Sequence, residues 1–249
     1  MIIKLKLRGF TLAEVLITLG IIGIVAAMTI PTLIANTRSQ QYRSRLKKTI
    51  STLSQAARMS QAQYGYDYAG ITQRCGTNGG TEHPETTQSI CAILNGTLTG
   101  ATYYNEISTI PMSKNNSSST YSINSTYIKR LGSTTNMHAY ILSDGTIVGF
   151  ATMLGNTPCT LPIGETLKDT HPTAGSAFLA DCYGFIDVNG SNLPNKEVTC
   201  SSGSNSLAQS TCVVKNNTKH MTDIYPIRFH DGIAEPATAA ARYVLKTAK

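Results

Sequence analysis

The chain has 249 residues, only 14% of them charged, and a formal net charge of +7. Lys4, Lys6 and Arg8 supply three of those charges, so the chain beyond residue 9 stands at +4. Without a Lys/Arg stripe, that mild excess leaves nucleic acid as a partner without support. Trp is absent, Tyr outnumbers Phe 12 to 5, and Ser, Thr, Asn and Gly are plentiful. This argues against a cytosolic enzyme and for one extracytoplasmic, β-rich domain of ordinary size.

The first element is the most informative. The three cations lead into Gly9-Phe10-Thr11-Leu12-Ala13-Glu14, and residues 15–35 follow as 21 residues without a charge. That is about the length a helix needs to cross a hydrocarbon core of roughly 30 Å. The leading cations hold the N-terminus in the cytoplasm and place everything after residue 35 outside it. Arg38, Arg43, Arg45, Lys47 and Lys48 lie on the exported side and argue mildly the other way. They fit a solvated helix face or a contact with anionic headgroups. An ordinary secretory signal is cut after its apolar segment; here the cut-like Gly9-Phe10 junction precedes it. Val25-Ala26-Ala27 also matches a conventional signal-peptidase site, which would release a soluble domain. Against that, the apolar stretch continues through Ile30, Leu33 and Ile34, and the position of Glu14 would have no explanation.

A carboxylate such as Glu14 costs on the order of 3 kcal/mol at mid-bilayer and marks a functional position by default. It can instead lie near the headgroups or pair with an amine one turn back. Gly20, Gly23 and Pro31 weaken the span as an isolated helix, by about 1 kcal/mol per Gly and about 3 for Pro relative to Ala. Two readings stay open: ordinary tolerance of such residues in membrane helices, or a segment that bends and melts locally.

These residues together resemble the N-terminus of the type IV pilin and pseudopilin superfamily. Its leader is removed between Gly and Phe, matched by Gly9 and Phe10, and the new terminal Phe is N-methylated. The fifth residue after the cut is Glu, matched by Glu14; a mid-span Gly and a late Pro are matched by Gly23 and Pro31. The resemblance covers about thirty residues. It implies a prepilin peptidase as processing partner, like or related pilin subunits and an inner-membrane assembly platform as assembly partners, and membrane lipids around the span. It also implies that Glu14 meets the amine of Phe10 on a neighbouring subunit. The implied location is the bacterial inner membrane, single-pass with the C-terminal domain outside, and then a filament. The chain divides accordingly into a leader (1–9), a transmembrane half-helix (10–35), an amphipathic half-helix (36–65) and a disulfide-bonded globular domain (66–249). The function implied is a subunit of a type II secretion pseudopilus or type IV pilus. The alternative is a minor pilin with an adhesive or DNA-uptake surface.

After Pro31 the pattern stays helical. Leu33, Ile34, Tyr42, Leu46, Ile50, Leu53, Ala56, Ala57 and Met59 form a stripe at three- and four-residue intervals, ending near residues 63–65. Residues 64–100 are loop-rich, with a short helix expected over 86–94. Residues 113–127 are a Ser/Asn/Thr tract with acceptor-type patterns at Asn116 and Asn124. A hairpin is expected over 139–150, turning on Asp144-Gly145, with further strands at 182–188 and 224–229 and a last helix opening at Pro236. One long helix followed by strands on short turns predicts an α+β, pilin-like fold with an antiparallel sheet. Residues 196–222 read as an insertion, a candidate variable surface.

Cys75, Cys91, Cys159, Cys182, Cys200 and Cys212 are even in number, all lie beyond the span, and contain no C-x-x-C pair. Zinc sites favour such short pairs, so disulfides are expected. Of the possible pairings the sequential one is simplest. Asp181, Asp187, Asn189 and Asp223 offer oxygens to calcium, but their spacing matches no EF-hand loop. No other cofactor is indicated. No G-x-S-x-G, P-loop or H-E-x-x-H is present, so no catalytic residue is assigned and the chain is not read as an enzyme.

Overall fold

The computed structural model describes residues 10–112, 121–123, 137–151, 159–160, 182–205, 207, 211–215 and 222–247. Gly9, Asn116, Asn124 and Asp181 fall outside them. The first element is one continuous helix, α1 (Leu12–Tyr64), of 53 residues, which spans about 80 Å at 1.5 Å per residue. It starts at Thr11 and stops at Gly65, whose φ of 83° provides the left-handed C-cap and sends its N–H to the Gln61 carbonyl at 3.2 Å.

The two halves of α1 have different surroundings. Tyr42, Leu46, Thr49, Leu53, Ala56, Ala57 and Ser60 recur on one face and are buried, which is the helical period of a face packed on a domain. The predicted stripe is therefore too long at its start. Leu33 and Ile34 remain exposed because burial of α1 begins only at Tyr42, and Met59 lies off the packed face.

The domain is an α+β arrangement built on a six-stranded antiparallel sheet in sequential order. Its strands are β1 (Thr102–Tyr104), β2 (Met137–Ile141), β3 (Ile147–Ala151), β4 (Tyr183–Asp187), β5 (Ile224–His230) and β6 (Ile233–Pro236). The β2–β3 turn closes through Leu142 N–H to the Thr146 carbonyl at 2.9 Å, with Gly145 at a φ of 81° that suits glycine. Strands β3, β4 and β5 are buried along their whole length. Both faces are covered, so their sequences read as near-continuous apolar runs rather than alternating ones. On one face Val148, Phe150, Ile186, Ile227 and Phe229 pack with Leu46 and Leu53 of α1. On the other, Ile147, Phe185 and Ile224 pack with Ile107, Ile110 and Tyr121 from the loop after β1.

Three elements differ from the sequence reading. The short helix α2 is Ile90–Thr97 rather than 86–94, because Ser89 caps it by accepting from Ala92 N–H at 3.0 Å. Pro236 does not open the last helix; it ends β6 opposite Ile227 on the sheet edge, where a missing N–H is tolerated. The helix α3 (Ala239–Lys246) starts three residues later, capped by Thr238. Disulfides join Cys75 to Cys91, Cys159 to Cys182 and Cys200 to Cys212. Each closes a loop worth about 3 kcal/mol in the chain-entropy picture.

Candidate functional site

The start of α1 is organised by a capping box. Thr11 Oγ1 accepts from Glu14 N–H at 3.3 Å, while Glu14 Oε2 accepts from both Thr11 N–H and Thr11 Oγ1 at 2.8 Å. Two N–H groups that a helix start would otherwise leave unpaired are thereby satisfied. Glu14 Oε1 has no bond among the described residues, so half of the carboxylate faces outward with an acceptor free. Phe10, directly before the cap, is 88% exposed. The role of Thr11 was missed by sequence reasoning, although Thr-x-x-Glu before an apolar run signals it.

Leu12, Leu16, Ile17, Leu19, Ile21, Ile22, Ile24 and Val25 are all more than half exposed. An 18-residue window of α1 has a mean hydropathy of 2.2 and none of it is covered by the domain. By length and composition this segment can cross a membrane. Gly20 and Gly23 would meet nothing within 4 Å if each gained a Cβ, so packing within the chain does not demand glycine at either position. Pro31 lies inside the continuous helix and removes one bond of its ladder.

At the other end of the exposed half-helix lie the acidic residues considered as calcium ligands. Asp187 and Asp223 are fully buried. Asp187 Oδ1 accepts from the N–H groups of Asn189 and Gly190 at 2.9 and 3.0 Å, and its Oδ2 accepts from the Tyr121 hydroxyl. Asp223 accepts from the N–H groups of Asn195 and Lys196 at 2.9 and 2.7 Å. Asn189 spends its amide N–H groups on the Asn192 and Leu193 carbonyls. Burial first, and then the charge of Asp223, push Asp187 well above the usual carboxylate range; burial also lifts Asp223 to about 6. Four carboxylate oxygens turned towards donors do not suit a cation that needs six to eight oxygen ligands. Asn195 Oδ1 is a buried acceptor without a partner there, one oxygen where several are required. The trio of Cys75, Glu82 and Cys91 is no better, since both sulfurs are in a disulfide and offer no thiolate.

The prokaryotic N-terminal methylation motif matches residues 5–30. This motif is the signature of type IV pilins and pseudopilins, and the chain carries it. The motif implies processing by a prepilin peptidase and assembly with other pilin subunits, and the proteins it typifies are structural. No curated protein and no solved structure matches the chain.

Proposed function

We propose that the chain is the precursor of a pilin-like filament subunit. A prepilin peptidase cuts after Gly9, residues 1–9 leave, and Phe10 is N-methylated. Residues 10–35 hold the subunit in the bacterial inner membrane with the domain outside the cytoplasm. The subunit then passes into a pseudopilus of a type II secretion system or a type IV pilus. The observation that carries this reading is the union of the methylation motif with an apolar half-helix that its own domain leaves uncovered. Such a surface needs lipid first and neighbouring helices later. Glu14 supports it further. The cap occupies Oε2 only, so Oε1 can accept from the Phe10 amine of the next subunit.

Mass spectrometry of the mature N-terminus from native membranes tests the reading. The expected terminus is N-methylated Phe10, lost in Gly9→Ala. A terminus at Met28 would mean conventional secretion and end the filament reading.

A minor subunit with a binding surface is the second reading, favoured by the Cys200–Cys212 loop between β4 and β5. Scarcity of the chain in sheared filaments would support it, and dominance there would sink it. Salt-sensitive DNA retention by the purified full chain would assign that surface to DNA uptake.

A further inference from the structure

From residue 15 to residue 66 the chain has no Asp or Glu, yet five cations fall within residues 38–48. Arg43 donates to the Leu245 carbonyl at 3.1 Å, and Lys48 pairs with Asp144 at 2.8 Å. Arg38 and Arg45 are two helical turns apart, and therefore on one face. Both line a cavity of 310 Å³ together with Tyr42, Asn189, Asn192 and Leu193. Arg45 already donates to the Val188 carbonyl at 2.9 Å, whereas Arg38 forms no ion pair among the described residues. Leu193, at the tip of the loop after β4, is apolar and 56% exposed.

Depth decides what this cavity meets. Arg38 lies four residues past Ile34, or about 6 Å along the helix axis. The headgroup layer on each side of the hydrocarbon is roughly 5–8 Å thick. In a chain inserted as proposed above, Arg38 therefore stands at phosphate level, with Leu193 positioned to touch the acyl boundary. We propose that this cavity holds the phosphate of an anionic lipid in the leaflet next to the domain, with Arg38 as the principal charged contact. A cluster of cations beside a span is the pattern that gathers anionic lipid. Here it also neutralises charge that would otherwise oppose the exported orientation. An exposed Leu beside the arginines favours a lipid over a neighbouring subunit's carboxylate, which would gain nothing from it.

The inference rests on membrane insertion, and the two can fail separately. Flotation of the full-length chain with neutral phosphatidylcholine vesicles reads insertion alone. Native mass spectrometry of the full-length chain in neutral detergent, titrated with phosphatidylglycerol, phosphatidylcholine or inorganic phosphate, reads the site. Phosphatidylglycerol is expected to bind preferentially, with affinity falling about fivefold in Arg38→Gln and further when Arg45→Gln is added. Arg58→Gln removes the same charge 20 residues further along α1 and is expected to leave binding unchanged. Arg38 is exposed, so its substitution does not endanger the fold. Equal retention of both lipids, or unchanged binding in Arg38→Gln, overturns the proposal. Inorganic phosphate binding as tightly as the lipid would make a soluble anion the ligand and overturn the lipid source. A dimer lost in Arg38→Gln would give the cavity to a second subunit and likewise overturn it.

Discussion

The Tyr121 hydroxyl donates to Asp187 Oδ2 across 2.5 Å, both residues buried. This bond fastens the loop on the outer face of the sheet to the last residue of β4, beside a second buried carboxyl at Asp223. Tyr121→Phe removes the donor and leaves the acceptor buried, which costs about 1–3 kcal/mol. Urea unfolding should show that loss. The pair also carries a pH signature. Both carboxyls are raised in the fold, so the folded chain keeps protons that the unfolded chain releases above about pH 4. Their contribution is full below that pH and declines as pH rises through about 6, where Asp223 titrates. Asp187→Asn should flatten the decline between pH 5 and pH 8; an unchanged slope would show that these carboxyls do not govern it.

A second titrating cluster sits at the β5–β6 edge. Arg228 is 5% exposed and its guanidinium pairs with Glu235, while His230 Nε2 lies 3.0 Å from Glu235 Oε1 and its Nδ1 3.0 Å from Asp231 Oδ2. Burial pulls the imidazole pKa of His230 down, but the bonds to Glu235 and Asp231 outweigh it and hold it above the ordinary 6.5. Burial likewise works to raise Glu235, and His230 and Arg228 outweigh it to hold the carboxyl below its ordinary 4.5. The histidine's contribution is full below 6.5 and lost as pH rises through its folded pKa. The glutamate's is full above 4.5 and lost as pH falls through its own. His230→Gln should therefore flatten the alkaline side of the stability profile and Glu235→Gln the acid side. Arg228→Ala leaves the partly exposed Glu235 with His230 as its remaining cationic partner and should cost about 2 kcal/mol, the worth of a hydrogen bond between charged groups, read from the same urea curves.

The Cys200–Cys212 loop is tied to the C-terminal helix rather than free. Asn205 accepts from Ala239 N–H through its carbonyl at 3.1 Å and from Ala240 N–H through its side chain at 3.0 Å. Replacing both cysteines with Ser should cost about 3 kcal/mol and loosen the start of α3 with the loop. Limited proteolysis followed by mass spectrometry reads this. Cleavage confined to residues 200–212, with α3 still protected, would show that the docking survives without the disulfide.

Much of the architecture was legible because it is local. Gly9-Phe10 with Glu14, the even set of cysteines and the Asp144-Gly145 turn are each short patterns with a direct physical meaning. What was missed depends on partners distant in sequence. β1 has three residues and β6 four, too few for a period to register. Without β6, Arg228 and His230 had no visible reason to lie within a buried strand, since the group that pairs with both is Glu235. The Tyr121–Asp187 bond spans 66 positions, and no local pattern announces it. The stripe on α1 was read past its true start because periodicity shows a face without showing how far the domain extends along it. Thr11 differs from these: its Thr-x-x-Glu signal is local, but the same Glu14 also reads as a charge at the edge of the membrane span, and the two readings compete in the sequence.

That double role gives the most discriminating variant. If Glu14 served only the cap of α1, Glu14→Gln would be close to neutral, because Gln fills the same place in a capping box. If its charge meets the amine of Phe10 on a neighbouring subunit, Gln keeps the cap and loses the ion pair. Glu14→Gln and Glu14→Ala should both insert in the membrane and both fail to enter filaments. Thr11→Ala should lose about 1 kcal/mol of helix stability and still assemble. Fractionation into membrane and sheared-filament pools separates these outcomes. Normal assembly of Glu14→Gln would reduce the carboxylate to a helix cap and remove charge pairing from the assembly mechanism.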